Sequence, residues 1–167
     1  MPTLTKVTHE HHARLHNFVV DLRELGDCLN ADCLDTTRLI EGLPRMRELV
    51  SGLQTYLIAH MEAVEAAVYP TLERLRKDRE TSAPMRREHE EIHRMVGALD
   101  DFVAPTPQGA DRGSVLALHR VVLRLAMLLE THLAEEELYL PILEDQLTAG
   151  QEAALARALD HLAREPL

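Results

Sequence analysis

Apolar residues recur every three to four positions through most of this chain, the period of an α-helix buried along one face. Leu15, Val19, Leu22 and then Leu25 or Leu29 carry that period first and predict a helix from about residues 3–8 to Cys28. A polar stretch at 30–43 reads as a loop. Pro44 then opens a second helix, because a first helical position needs no N–H. That helix runs through His60 to a kink or end near Pro70, at most to Lys77. Thr81-Ser82-Ala83-Pro84 is a cap followed by proline and starts a third helix, ending about Val103. Pro105, Pro107, Gly109 and Gly113 break the chain at 104–113. A fourth helix spans about 114–147 and bends where Pro141 removes a hydrogen bond. Gly150 separates it from a last helix at 151–164. No segment alternates as a strand would. Long helices with short connections predict an all-α fold, an antiparallel up-down four-helix bundle with a short C-terminal extra helix. The 167 residues suit a single domain, with the bundle at about 4–147.

Composition, charge and the most apolar runs sharpen this picture. Apolar residues make up 46% of the chain and Trp is absent, so the core must be aliphatic. The net charge of −10 opposes nucleic acid and anionic membrane, and neither is an expected partner. The most apolar run, 121–129, is broken by Arg124 and falls far short of a bilayer span. The first residues show no apolar signal region. Cys28 and Cys33 are too few for a disulfide scaffold and read as reduced thiols of a cytoplasmic protein.

The chemistry lies in four histidine motifs, one on each long predicted helix. They are His12-Ala-Arg-Leu-His16, His60 followed by Glu65 and Pro70, His89-Glu-Glu-Ile-His93, and His132-Leu-Ala-Glu-Glu136 followed by Pro141. A His-x-x-x-His segment followed by a His-then-Glu segment thus occurs twice. Imidazole suits first-row transition metals, and a carboxylate can bridge two ions. Residues four apart share a helix face, about 6 Å apart along the axis. His89 and His93 therefore pair, as do His132 and Glu136, while Glu65 is turned further round from His60. The first helix offers His12 or His16; aligning the two half-repeats sets His12 over His89 and favours His12. One His from the first helix, a His and a Glu from the second and fourth, and two His from the third make seven ligands. That number serves two six-coordinate ions sharing bridges, with one exchangeable position.

At these motifs the chain resembles the haemerythrin-like, or HHE cation-binding, family, from about residue 8 to 145. The resemblance implies two iron ions, oxo- or hydroxo-bridged, held by His12, His60, Glu65, His89, His93, His132 and Glu136. One departure stands out. Val64 occupies the position where the family's four-spaced carboxylate falls. Glu65 takes that role in our reading, with Glu62 as a weaker substitute, and Tyr56, one turn before His60, could supply a phenolate. His16 is the alternative on the first helix. Tyr69 and Tyr139 precede prolines and read as packing residues. His9 and His11 read as solvated, and His119 and His161 as surface residues.

Two carboxylates against the charge of two ferrous ions stabilise high-valent iron poorly. The expected ligand is therefore a small oxidant: hydrogen peroxide, NO or O2. The enzyme reading is a scavenger with catalase-like, peroxidase-like or NO-consuming activity. The binding reading is reversible carriage or sensing of O2 or iron. His89-Glu-Glu-Ile-His93 also matches the zinc metalloprotease signature. That remote alternative leaves His60 and His132 unexplained.

Overall fold

The structure, a computed structural model, describes residues 3–29, 36–104 and 112–164. Every regular element among them is helical. They are α1 (Leu4–Cys28), α2 (Thr36–Gly52), α3 (Ile58–Ala63), α4 (Tyr69–Arg76), α5 (Ala83–Val103), α6 (Arg112–Glu137), α7 (Leu140–Gln146) and α8 (Ala149–Arg164). Two π-helical turns, Leu53–Leu57 and Val64–Val68, join α2 to α3 and α3 to α4. Residues 36–76 therefore run as one helical rod.

Several boundaries move from their sequence positions. The second helix begins at Thr36 and carries Pro44 inside it, at the cost of one ladder bond. It stops at Lys77, whose backbone is left-handed at φ 54°. There Asp78 N–H donates to Glu73 O at 3.1 Å and Lys77 N–H to Arg74 O at 3.3 Å, the paired closure of a Schellman motif. The single bent helix expected near Pro141 is two helices: α6 ends at Glu137, and α7 restarts with Pro141 in its first turn. Of the two predicted loops, 30–35 and 105–111 lie outside the described residues, as does Cys33.

The helices pack as a bundle. α6 lies against α1 and α5, α5 also against α2, and α8 against α1 and α3. Two apolar clusters fill the interior. The larger holds Leu15, Val19, Leu57, Ile92, Leu129 and Leu133 among others. The smaller holds Leu4, Val7, Ala63, Val64, Tyr69, Met85 and Leu140, closed by Leu155, Ala156 and Leu159 of α8. A buried polar layer falls between them. On α1, His12 sits between Val7 of the smaller cluster and Leu15 of the larger. His89 sits likewise between Met85 and Ile92 on α5, and His132 between Leu129 and the α7 residue Leu140.

Candidate metal centre

The polar layer is built by the same periodicity that builds the core. On α1 the buried stripe is Leu4, Val7, Thr8, His12, Leu15, Val19 and Leu22. On α5 it includes Met85, His89, Ile92, Val96 and Leu99. On α6 it includes Val122, Leu125, Leu129, His132 and Glu136. His12, His89, His132 and Glu136 thus replace apolar residues at positions that must face inward. His60 is buried on α3, between the two π-turns.

Glu136 is the centre of the arrangement. Its Oε2 lies 2.9 Å from His12 Nε2 and 3.1 Å from His60 Nε2. Its Oε1 accepts from the Tyr69 hydroxyl at 3.3 Å. Tyr69 Oη also lies 3.2 Å from His89 Nε2, which faces His132 Nε2 at 3.0 Å. The donor atoms of His12, His60 and Glu136 all lie within 4.8 Å of one another, and so do those of His89, His132 and Glu136. All five residues are buried.

The outer nitrogens of three of these rings end on carboxylates. His89 Nδ1–H donates to Glu65 Oε1 at 2.6 Å, and His132 Nδ1–H to Glu88 Oε2 at 2.9 Å. His12 Nδ1 lies 3.1 Å from Glu137 Oε1. Such partners fix the ring and make the inner nitrogen a better ligand. Arg86 holds Glu65 in place: its Nη1 donates to Glu65 Oε2 at 3.0 Å, and its Nη2 to Glu73 Oε1 at 3.2 Å. Its guanidinium also lies over the Tyr69 ring, 5.2 Å from the centroid. His60 Nδ1 is buried and has no hydrogen-bond partner among the described residues.

With their protons committed to Glu65 and Glu88, His89 and His132 direct lone pairs at one another across 3.0 Å. Burial, and then His132, pushes the His89 pKa down to about 4, against the Glu65 bond, so neutrality at pH 7 is built in. Two facing lone pairs repel, and a cation held by both nitrogens removes the repulsion. On the other side burial works to lower His12, but the bonds to Glu136 and Glu137 outweigh it and the pKa is raised. Burial would raise Glu136; its histidine neighbours, His60 first, hold it well below the usual carboxylate range. Burial and Glu136 push the Tyr69 phenol upward. Four imidazoles, an ionised carboxylate and a phenol oxygen are a donor set that fits a transition-metal cation.

The structure thus brings together His12, His60, His89, His132 and Glu136. It does not bring in the other candidates. Glu65 stands behind His89, on its outer nitrogen, and contacts none of the inner donor atoms. Val64 is buried in the smaller apolar cluster. His93 is exposed, because the α5 stripe steps from His89 to Ile92 and leaves the next position facing out. His16 is exposed for the same reason, since the α1 stripe steps from His12 to Leu15. The zinc-protease signature therefore has one buried and one exposed histidine. Tyr56 is 44% exposed; it stacks on Phe18 and carries Arg14 on its face at 4.6 Å. Glu62 is exposed. His11, expected to be solvated, is half-buried instead. His161 is exposed and His119 half-buried.

Sequence reasoning missed Tyr69 as a member of the cluster. The signal was present in the π-turn. Tyr69 N–H bonds to Val64 O, five residues back, so that turn carries one extra residue. Nine positions from His60 then approximate eight, roughly two α-helical turns, and Tyr69 returns to the face of His60. Glu65 lies inside the same turn and is carried past it.

The fold and the site together define a class: a helical bundle with a buried His and Glu cluster able to hold metal cations. Comparison with known families matches residues 3–143 to the hemerythrin HHE cation binding domain, and the chain belongs to that family. The matched stretch contains every residue of the cluster and ends before α8. No curated protein and no solved structure matches the chain. Among the described residues, no helix is long and apolar enough to cross a membrane.

Proposed function

We propose that this chain is a non-haem di-iron protein, one domain folded as an antiparallel up-down four-helix bundle with an extra C-terminal helix. In this reading His12 and His60 would hold one iron, His89 and His132 the other, and Glu136 would serve both. The observation that supports it best is the pair of buried donor groups, His12 with His60 and His89 with His132, that share the one carboxylate of Glu136. Iron bound there would supply redox chemistry toward hydrogen peroxide, NO or O2. Glu65, Glu88 and Glu137 orient the rings from behind. Tyr69 places a hydroxyl among the donors, either as a ligand or as a hydrogen-bond donor to a bound oxidant. Cys28, an exposed free thiol, fits a cytoplasmic setting.

A polar group at the open position favours turnover over reversible binding, because it can move a proton during reduction. Tyr69 is such a group, so consumption of a small oxidant is the primary reading. Reversible O2 or iron binding is the second, supported by the apolar clusters on both sides of the layer. Elemental analysis of protein from iron-replete cells, with an optical spectrum, tests the metal: the expected result is two irons per chain. Zinc alone would overturn it. Gas evolution on adding hydrogen peroxide to the iron-loaded protein separates turnover from carriage.

A further inference from the structure

Behind His60 lies a cavity of about 310 Å³ whose lining includes Glu10, His11 and Arg14 of α1, Tyr56, His60 itself and Asp160 of α8. Two ring nitrogens in its lining, His60 Nδ1 and His11 Nδ1, are buried and have no hydrogen-bond partner among the described residues. Buried polar atoms nearly always have one. The two rings stand edge to face with centroids 5.7 Å apart. The other nitrogen of His11, Nε2, faces Asp160 Oδ1 at 3.6 Å.

These placements fix which nitrogen gives and which takes. A carboxylate opposite Nε2 draws the imidazole proton of His11 to that nitrogen, and Nδ1 is left with a lone pair. The reading of His60 as a metal ligand, on which this inference rests, commits its Nε2 lone pair to the metal. Its Nδ1 then carries the proton. One donor and one acceptor line one polar cavity with room for several waters. A metal ion would need lone pairs from both nitrogens, and an anion would need protons from both. Water meets the requirement.

We infer that a resident water in this cavity accepts from His60 Nδ1–H and donates to His11 Nδ1, so that Asp160 and His11 are positioning residues for His60. The water supplies the outer anchor that Glu137, Glu65 and Glu88 give the other three rings. The chain of contacts ends on Asp160 of α8, outside the stretch matched to the family. In this protein the C-terminal helix therefore both closes the smaller apolar cluster and holds a metal ligand.

The test uses the full chain and three variants: His11→Phe, which keeps a ring but removes the acceptor, Asp160→Asn, and Asp160→Glu as the conservative rescue. Iron-loaded proteins are mixed with a chelator and iron loss is followed. Loss of one iron equivalent is expected to speed up roughly 10-fold or more in His11→Phe and Asp160→Asn, the usual effect of removing an outer partner. Asp160→Glu should stay near wild type. Long-range ¹H–¹⁵N spectra of the metal-free protein give a second readout, with the His11 proton expected on Nε2 in the wild type and not held there in Asp160→Asn. If His11→Phe fails to fold, Asp160→Asn and the spectra carry the test. A wild-type His11 proton on Nδ1, or unchanged iron loss in the variants, overturns the inference. Wild-type protein that takes up no iron overturns the metal reading instead, and the spectra still decide the Asp160–His11 pairing.

Discussion

The two histidine pairs that share Glu136 are held differently. His89 and His132 face one another, each pinned from behind by a carboxylate, with Tyr69 beside them. His12 and His60 instead converge on one oxygen of Glu136, and among the described residues only His12 of the two has a carboxylate behind it. In the structure the inner nitrogens of the first pair face one another at 3.0 Å, and those of the second are satisfied by Glu136. A metal entering the first pair relieves a repulsion, whereas one entering the second must displace hydrogen bonds to Glu136. The first pair should therefore be the tighter site.

The largest effect is expected from the residue common to both. On the proposed di-iron reading, Glu136→Ala should reduce iron to near none, because each triad loses an oxygen and the only negative charge among its inner donors. Elemental analysis after desalting checks this. One iron retained at full occupancy would mean that the His89 and His132 side does not depend on Glu136.

Removing one half sharpens the contrast. His132→Ala should abolish the tighter site and weaken the first metal equivalent by 100-fold or more, about 3 kcal/mol. His12→Ala should leave one tight equivalent. Arg86→Ala, which frees Glu65, should act only on the tighter site, by roughly 10-fold. His16→Ala, His93→Ala, His119→Ala and His161→Ala should leave metal content unchanged. Titration of metal-free protein with ferrous iron under exclusion of air measures all of these, and equal loss from His12→Ala and His132→Ala would erase the difference between the halves.

Acid should separate the halves in the metal-free protein. His89 titrates at about 4 when folded against 6.5 unfolded, so below 6.5 the unfolded chain binds the proton first. Stability is then lost as pH falls from 6.5 toward 4, by about 3 kcal/mol at most from this group. The depressed Glu136 adds a loss in the same direction at lower pH. His12 acts oppositely: its raised pKa contributes stability that is complete below 6.5 and fades as pH rises through the folded value. Denaturant unfolding at several pH values checks the slope, and His89→Phe should flatten it between 6.5 and 4. A slope unaffected by that substitution would assign the acid sensitivity elsewhere.

Much of this was legible in the amino-acid order. The helices on either side of the broken segments follow from periodicity and prolines, because an aliphatic stripe has one way to be buried. His12, His60, His89, His132 and Glu136 were readable as candidates because each lies on its stripe or in a repeated motif. Spacing misled where a helix is not ideal or where a stripe steps by three. His93 and His16 are four residues from buried histidines, yet Ile92 and Leu15 take the inward positions. The π-turn at Val64–Val68 is invisible to a four-residue rule, and it decides that Tyr69, not Tyr56, reaches the cluster. The part played by α8 was also hidden, since Asp160 and His11 lie far apart in the chain and no motif links them.

The smallest effect on the fold should come from the tyrosine, and it carries the most information about the chemistry. Tyr69 is fully buried, its hydroxyl within reach of both His89 and Glu136, and its ring stacks on His89 with centroids 5.6 Å apart. Tyr69→Phe keeps the ring and its packing and removes one hydroxyl, so stability should change by about 1 kcal/mol. If the oxygen is a ligand, the ferric wild type shows a phenolate-to-iron band in the visible region, and Tyr69→Phe abolishes it. Tyr56→Phe should leave that band untouched, since Tyr56 stacks on Phe18 at the surface. If the oxygen only donates a hydrogen bond, no such band exists, and Tyr69→Phe instead slows peroxide turnover with metal content intact. A band that survives Tyr69→Phe and disappears in Tyr56→Phe would return the ligand to the side of His12 and His60, and the asymmetry between the two pairs would have to be reversed.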